Sequence, residues 1–515
     1  MAWLGPVVRV GRLRRRASVV LEEWSPIPGN GVDRTRLTGP LAFITGDGHR
    51  TAVNAAPVSR RHRIAAVAVL AAGALLQGAS YWPGIMTWDA LNQYGQALAG
   101  EYDDWHPPAM AWLWRRLLGL APGPAPMFLL QVGLYWVGYG LIVAGAFRRG
   151  QAVAAGIAVA VALMPFPLAL MGSVLKDCLM EGVLLTAAGL LVSGGARWGA
   201  RVGIWLLLLV AATLRFNAFL AALPLAIAAM PAAWRGSRPR FAVAGVAAAA
   251  ALLFAMPAAN RALGAERSGV EWSLAMFDLA GITAHTGIDQ FPAMGVSDPV
   301  WVARSCYRPD KWDYFSSWAD PLCPITFDRL DPIVTERGLH AYPTLLRATL
   351  AHPVAYAAHR LAHFNLNARF LVHDEVQGPV PDRATANEYH FAVPSNPGLR
   401  FLNRTTGWSV HSPLGWPIVW IALAAGMAAL CPWLPSRGLV APLAWSGLLY
   451  GLGYLPFSVS SELRYHVWTI TGTALAAAFA MADLAVGEVV PRRILALALT
   501  PALGVALLCT LWRLT

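Results

Sequence analysis

Long apolar stretches recur along most of the chain and constrain its fold more than any other feature. About 20 helical residues cross the ~30 Å hydrocarbon core of a bilayer. We therefore predict an all-α multi-pass membrane protein with about 11 transmembrane helices, within a range of roughly 9–13. The stretches lie at 64–82, 125–146, 151–171, 178–196, 202–215, 217–234, 241–262, 413–433, 438–457, 466–484 and 494–511.

The charged residues are sparse and unevenly distributed. They form 13% of the 515 residues, about half the ~25% of soluble proteins, which excludes an ordinary cytosolic enzyme. Arginines cluster in short connections on alternate sides of the spans, and this bias identifies the cytoplasmic face. The net charge of +12 is therefore a topology signal, and we predict a cytoplasmic N-terminus and no nucleic-acid partner.

The same pattern predicts four regions. Residues 1–63 would be a disordered, Arg-rich cytoplasmic tail, and 64–262 an N-terminal membrane domain of about seven spans with a first outer loop at 83–124. Residues 263–412 would be a large, mainly helical periplasmic insertion, and 413–515 a C-terminal membrane domain of about four spans. Within the insertion we predict a membrane-surface helix over 342–372. Cys306 and Cys323 either form a disulfide in an oxidising compartment or remain two free thiols.

The first outer loop contains a polar helical stripe. A helix is predicted to begin near Thr87, and its polar residues recur at helical spacing at Asp89, Asn92, Gln93 and Gln96. Asp89 alone could be an acid that complements the helix dipole. That interpretation does not account for the rest of the stripe, so we treat Asp89 and Gln93 as candidate site residues.

An acidic turn that includes Asp104 leads to His106-Pro107-Pro108. The prolines fix the backbone and can open the next helix. We predict this helix over 109–120 and expect it to lie in the membrane interface. His106 is either a residue of the site or a solvated turn residue.

Three very short outer turns carry charge at the ends of spans. Ionisable groups at such positions are costly and therefore point to function. Each turn could form only a local salt bridge, but three on one face favour a site for an anionic headgroup beside an acid–base group. The turns contain Lys176 and Asp177; Arg215 and Asn217; and Glu462, Arg464 and Tyr465.

These elements, PGIMTWDALNQYGQALAGEYDDWHPP together with KD, RFN and ELRY, resemble the GT-C superfamily of multi-span glycosyltransferases. That superfamily includes protein O-mannosyltransferases and the lipid A aminoarabinose transferase, and the closest likeness is to a poorly characterised bacterial branch. The resemblance extends over roughly residues 64–470, and it is sharp in the short motifs. The first-loop acid is not part of a DxD or DE pair, and the insertion has no matching motif.

The resemblance implies an inverting glycosyltransferase of the bacterial inner (plasma) membrane. It would move a sugar from a polyprenyl-phosphate donor to a glycan, lipid or protein acceptor at the outer face. It implies that Asp89 is the general base, with a modestly raised pKa, and that Lys176, Arg215 and Arg464 hold the phosphate. Glu462 or Asp104 would bind sugar hydroxyls or a divalent cation near Asp89, and no other cofactor is expected. Tyr465, His106 and Asn217 would be secondary contacts, beside Asp177 and Gln93.

Other functions remain open from the sequence. A transporter or flippase of lipid-linked sugars or anions would also collect charges, although transporters usually place them near the midplane. An O-antigen ligase or polymerase would rely on Arg and His of the large loop, which holds 8 of the 12 histidines. A sensor or scaffold would not need Asp89. His359 and His363 stand four apart on a predicted helix, with His373, Asp374 and Glu375 nearby, as in some metal sites. A polar face on a surface helix is the simpler explanation, and we prefer it.

Overall fold

The computed structural model describes residues 59–194, 197–319, 321–373, 380–393, 395–487 and 490–515. Within these residues the regular elements are helices, and isolated β-bridges join some of the loops. The predicted tail lies outside the described residues up to residue 58, and the first helix begins at Arg60.

The helices that precede the insertion include the longest spans and the two short helices of the first outer loop. They are α1 (Arg60–Tyr81), α2 (Trp88–Ala99), α3 (Ala109–Leu117), α4 (Ala125–Arg148), α5 (Ala152–Ala162), α6 (Pro165–Leu170), α7 (Lys176–Gly194), α8 (Trp198–Leu214), α9 (Ala218–Ala229), α10 (Ala232–Arg235) and α11 (Arg238–Ala262).

The insertion is also built of helices. They are α12 (Glu271–Thr286), α13 (Pro299–Cys306), a 3₁₀ turn (Trp312–Phe315), α14 (Phe327–Glu336), α15 (Ala341–Ala351), α16 (Pro353–Asn367) and α17 (Pro397–Val410). The C-terminal part consists of α18 (Pro417–Leu430), α19 (Arg437–Phe457), α20 (Val467–Ala485) and α21 (Arg492–Leu514), with 3₁₀ turns at Pro413–Gly415, Cys431–Trp433 and Leu463–His466.

The all-α membrane architecture is confirmed. In the described ranges, seven helices are long and apolar enough to cross a membrane, and four more are apolar but shorter. Each of them lies on one of the predicted stretches. The stretch 151–171 is divided at Leu163-Met164, because Pro165 and Pro167 begin a separate helix there.

The helix α7 lies at the centre of the membrane part and carries the charged turn at its N-terminus. It packs along α4 at very close range: a Cβ on Gly138 would lie 2.7 Å from the backbone of Leu185, and one on Gly189 would lie 2.8 Å from the carbonyl oxygen of Gly138. Small residues allow membrane helices to approach in this way. The apposition fixes the position of Lys176 and Asp177.

A backbone bridge holds the first outer loop against the start of α7. The amide of Ile85 donates to the carbonyl of Gly172 at 2.9 Å, and the amide of Val174 donates back to Ile85 at 2.9 Å. The helix α2 follows directly, with Thr87 as its N-cap, as predicted. The N-termini of α2 and α7, both of which bear charged residues, are therefore neighbours.

The insertion has a hydrophobic core of its own, centred on α12 and separate from the core of the spans. Cys306 and Cys323 are joined by a disulfide within it, so the disulfide alternative is the one that the structure adopts.

One prediction for a helix outside the spans is wrong. The surface helix over 342–372 is instead α15 and α16, separated at His352-Pro353. The helix α16 packs against α12 and α19, and its polar residues His359, Arg360, His363 and Asn367 are buried there. The helix predicted over 109–120 is present as α3, which ends at Leu117. Its Trp114 is buried and donates to the carbonyl of Gly123 at 3.1 Å, while Arg115 and Arg116 are exposed on its other side.

Candidate active site

Charged residues from four distant segments meet in one group, which we call the charged cluster: Asp89, His106, Lys176, Asp177, Arg215, Glu462 and Arg464. Arg464 is its centre. Its Nη1 donates to Asp89 Oδ2 at 2.9 Å and lies 3.9 Å from Asp177 Oδ2. Its Nη2 donates to Glu462 Oε1 at 2.9 Å. One guanidinium thus joins α2, α7 and the turn before α20.

Lys176 and His106 extend the charged cluster on the other side of Asp89. Lys176 Nζ donates to His106 Nδ1 at 2.6 Å, and His106 Nε2 lies 3.8 Å from Asp89 Oδ1. Because an ammonium group only donates, Nδ1 accepts and the ring proton is on Nε2, on the side of Asp89. Burial and the neighbouring Lys176 lower the pKa of His106 to about 3, so the imidazole is neutral near pH 7.

Arg215 approaches from the end of α8. It forms an ion pair with Asp177, which is fully buried. Its guanidinium lies 4.3 Å from the ring centroid of Tyr465, and that ring stacks on Tyr454 with an interplanar angle of 6°. Tyr465 therefore contacts the guanidinium of Arg215 directly. Asn217 is buried at the start of α9, two residues after Arg215.

Of the local salt bridges considered from the sequence, Glu462 and Arg464 form one within their own turn, but the turn at Lys176-Asp177 does not. Lys176 reaches His106 rather than Asp177, and Asp177 pairs with Arg215 rather than with its neighbour. In this group the three carboxylates of Asp89, Asp177 and Glu462 balance the charges of Lys176, Arg215 and Arg464. Solvent still reaches part of it, since the side chains of Asp89 and Glu462 are 23% and 25% exposed.

The expectation of a raised pKa for Asp89 is wrong for this arrangement. Burial alone would raise the pKa, but the charges of Arg464 and Lys176, together with the polarised Nε2–H of His106, outweigh it and hold the pKa of Asp89 well below its usual range. The reason is that three positively polarised groups face one carboxylate. A nearby opposite charge favours the ionised form.

Besides Tyr465 and Asn217, two more predicted site residues are not members of the charged cluster. Asp104 Oδ1 accepts hydrogen bonds from the amide and the hydroxyl of Ser268, both at 2.7 Å, so it ties the first outer loop to the insertion. Gln93 lies one turn after Asp89 on α2 and is 1% exposed. Asn92 is exposed and accepts from Gln96 at 3.1 Å; the predicted stripe is therefore divided between a buried and an exposed side.

The segment that bears Glu462 and Arg464 is fixed by α16, and no pattern in the sequence links these two parts of the chain. Asn367 is fully buried, and its Nδ2 donates to the carbonyl of Ser460 at 3.0 Å. Its Oδ1 accepts from His466 Nε2 at 2.7 Å. Arg360 Nη1 donates to the carbonyl of Ser458 at 2.6 Å. The insertion therefore holds both ends of the turn that carries Arg464.

Arg360 also belongs to a second ionic group, which we call the buried network: Asp278, Tyr307, His359 and Arg360. Asp278 accepts from His359 Nε2 at 2.8 Å and pairs with Arg360 at 2.5 Å. The Tyr307 hydroxyl lies 2.8 Å from His359 Nδ1. Both ring nitrogens of His359 are thus engaged by protein groups. Within the described ranges, no group of three or more His, Cys, Asp or Glu residues is placed to hold a metal ion.

An apolar groove of about 220 Å³ lies elsewhere, between α9 and α19. Arg235 and Arg437 border it, and both belong to connections predicted to be cytoplasmic. The groove is therefore at the opposite end of the spans from the charged cluster, and we assign it no part in the chemistry.

No protein-family model matches the chain, and no curated protein matches it. Among solved structures, the chain is similar to ArnT from Cupriavidus metallidurans, in a crystal structure with bound undecaprenyl phosphate. The likeness covers 84% of each chain at 15% identity, with a TM-score of 0.29. The chemistry of the charged cluster rests on the contacts among its own residues.

Proposed function

We propose that the protein is a membrane glycosyltransferase that transfers a sugar from a polyprenyl-phosphate donor to an acceptor at the outer face. The observation that carries the proposal is the meeting of Asp89, Lys176, Arg215 and Arg464 in one partly exposed group. The GT-C resemblance of the motifs and the undecaprenyl phosphate bound to the similar ArnT structure support the choice of donor. The disulfide supports an oxidising compartment for the insertion.

The phosphate of the donor is assigned to Lys176, Arg215 and Arg464. Guanidinium groups bind phosphate through paired N–H donors, and an ammonium group adds a compact charge. The leaving group in such a transfer is the polyprenyl phosphate itself. The same three cations therefore stabilise the negative charge that develops as the bond from the sugar carbon to the phosphate oxygen breaks.

The ion pairs within the charged cluster indicate how the phosphate enters. The charged cluster is already neutral, so an arriving phosphate competes with its carboxylates for the cations. When Arg464 and Lys176 turn to the phosphate, Asp89 loses the charges that hold its pKa low. Its pKa then rises toward the range useful for a base. Donor binding thereby prepares Asp89 for proton transfer.

In the transfer of the sugar, the bond that forms is matched by the bond that breaks. Asp89 accepts the proton of an acceptor hydroxyl or amine, and the acceptor atom forms its bond to the anomeric carbon of the sugar. The bond from that carbon to the phosphate oxygen breaks on the opposite face, and its electron pair leaves with the phosphate. The anomeric configuration inverts. Glu462, one-quarter exposed beside Arg464, is assigned to the sugar hydroxyls.

The test uses the full-length protein in nanodiscs and a panel of hexose, N-acetylhexosamine and pentose undecaprenyl phosphates. Release of undecaprenyl phosphate is measured with an envelope extract as acceptor. Asp89→Asn should lower turnover by about 10²–10⁴-fold, the usual contribution of a general base. Asp331→Asn, an exposed carboxylate of α14, is the matched control.

Full turnover by Asp89→Asn would remove Asp89 as the base. Movement of intact donors across the bilayer without turnover would instead identify a carrier. No consumption of any donor by the wild type would contradict the proposed function itself.

A further inference from the structure

Trp318 is an exposed tryptophan in the insertion that the proposed chemistry does not use. Its side chain is 61% exposed, yet neighbouring groups hold it. The rings of Trp105 and Trp312 stand nearly perpendicular to it, with centroids at 6.1 and 5.8 Å. The carboxylate of Asp313 lies beside it. Two ring contacts thus hold Trp318 while most of its side chain remains accessible.

This arrangement is unusual because an exposed side chain ordinarily keeps its rotamer freedom, and fixing it has an entropic cost. Rigid aromatic surfaces with one polar handle are typical of binding sites. Trp301 offers a comparison within the same insertion. It is similarly exposed, at 65%, but none of the ring contacts in the described residues involves it.

The position of Trp318 links it to the charged cluster. Trp105 directly precedes His106 in the chain. The amide of Trp312 donates to the carbonyl of Val459 at 2.9 Å, and Lys311 forms a β-bridge with Ser460, just before Glu462. The indole of Trp318 is therefore linked to the charged cluster through Trp105 on one side and through Trp312 and the turn before Glu462 on the other, and it belongs to the insertion rather than to the spans.

We propose that the open face of Trp318 stacks against a sugar ring of the acceptor, so that the acceptor is a saccharide. This inference rests on the proposed function and specifies its acceptor. A pyranose presents an apolar C–H face and a rim of hydroxyls. The indole can pack against the C–H face. The carboxylate of Asp313 and the ammonium group of the neighbouring Lys311 can form hydrogen bonds with the hydroxyls.

Direct binding is tested with the full-length protein containing 5-fluorotryptophan, in nanodiscs. The ¹⁹F resonances of Trp318 and Trp301 are assigned from Trp318→Phe and Trp301→Phe. The probes are the saccharide fraction that mild acid releases from the cell envelope and, in a second arm, the peptide fraction from protease digestion. The saccharide fraction should shift the Trp318 resonance and leave the Trp301 resonance in place.

Kinetics give an independent readout. Trp318→Ala should raise the half-saturating saccharide acceptor concentration about ten-fold, which corresponds to ~1.4 kcal/mol. Its Kd for undecaprenyl phosphate should stay within about two-fold of wild type, and Trp301→Ala should match wild type in both quantities.

Three outcomes would overturn the inference: no Trp318 shift with the saccharide fraction, a shift with the peptide fraction alone, or equal acceptor kinetics for Trp318→Ala and Trp301→Ala. A Trp318 shift in a protein that consumes no donor would leave the saccharide site standing and contradict the proposed function. The two failures are therefore distinguishable.

Discussion

The charged cluster and the buried network are both built from acids paired with arginine and histidine, but they differ in access to solvent. In the buried network Asp278 and His359 are completely buried. In the charged cluster Asp89 and Glu462 remain about one-quarter exposed. An ion pair that solvent does not reach fixes a structure, whereas a solvent-accessible ion pair can exchange partners. We infer that the buried network positions the insertion, whereas the charged cluster binds the donor and takes part in the transfer.

The largest expected difference concerns stability. Asp278→Ala leaves Arg360 and His359 buried without their shared acceptor, and such a loss costs about 3–5 kcal/mol of unfolding free energy. Asp89→Ala should cost much less, because Arg464 keeps Asp177 and Glu462 as partners. Denaturant unfolding of both variants in the same detergent checks this. Equal destabilisation would remove the distinction between the two regions.

A smaller effect is expected where the two regions are connected. Asn367→Leu leaves the carbonyl of Ser460 and the His466 ring nitrogen without their partner, so the turn that bears Arg464 loses its support. We expect kcat to fall about ten-fold while the protein remains folded, since each unpaired buried group costs ~1–3 kcal/mol.

The matched control is Asn365→Leu on the same helix, whose hydrogen bonds go to Leu371. If the control lowered kcat as much as Asn367→Leu, positioning of the turn would not explain the loss. A return of kcat in Asn367→Gln, at unchanged Kd for undecaprenyl phosphate, would support it.

The smallest effect is a pH dependence of stability. His106 has a folded pKa of about 3 against the ordinary 6.5, so between these values the unfolded chain binds more protons. The unfolding free energy should therefore fall as pH decreases from about 6.5 toward 3. His106→Gln should show a shallower decline, measured as unfolding midpoints across that range.

The buried network provides the comparison for this prediction. Burial lowers the pKa of the nearby His363 to about 3 as well, and its ring donates to the carbonyl of Pro309. Undecaprenyl phosphate should change the contribution of His106, because it draws Lys176 away, and should leave that of His363 unchanged. An identical response of both histidines would contradict partner exchange in the charged cluster.

The sequence predicted the spans and most of the charged cluster, because intramembrane and interfacial charges are rare enough to stand out. Lys176, Arg215 and Arg464 were recognised from single short turns. It did not predict how they pair: Lys176 contacts a histidine 70 positions away and Arg464 an aspartate 375 positions away. Local sequence patterns contain no information about contacts between residues that are so far apart in the chain.

The sequence also did not predict the roles of Asn367 and Trp318, because their contacts join residues that are far apart in the chain. From the sequence, the polar face of α16 is typical of a surface helix. In the fold, α12 and the turn at 458–466 cover that face. The pKa of Asp89 was predicted in the wrong direction because desolvation can be judged from the sequence, whereas the approach of three positively polarised groups depends on the fold.

The central claim is that phosphate and Asp89 compete for the same cations. The direct measurement is the Kd for undecaprenyl phosphate of the wild type, Asp89→Asn and Arg464→Gln in nanodiscs, by isothermal titration calorimetry. We predict tighter binding by Asp89→Asn, because a competing anion is removed, and binding about ten-fold or more weaker by Arg464→Gln. Equal Kd values for all three proteins would contradict the account.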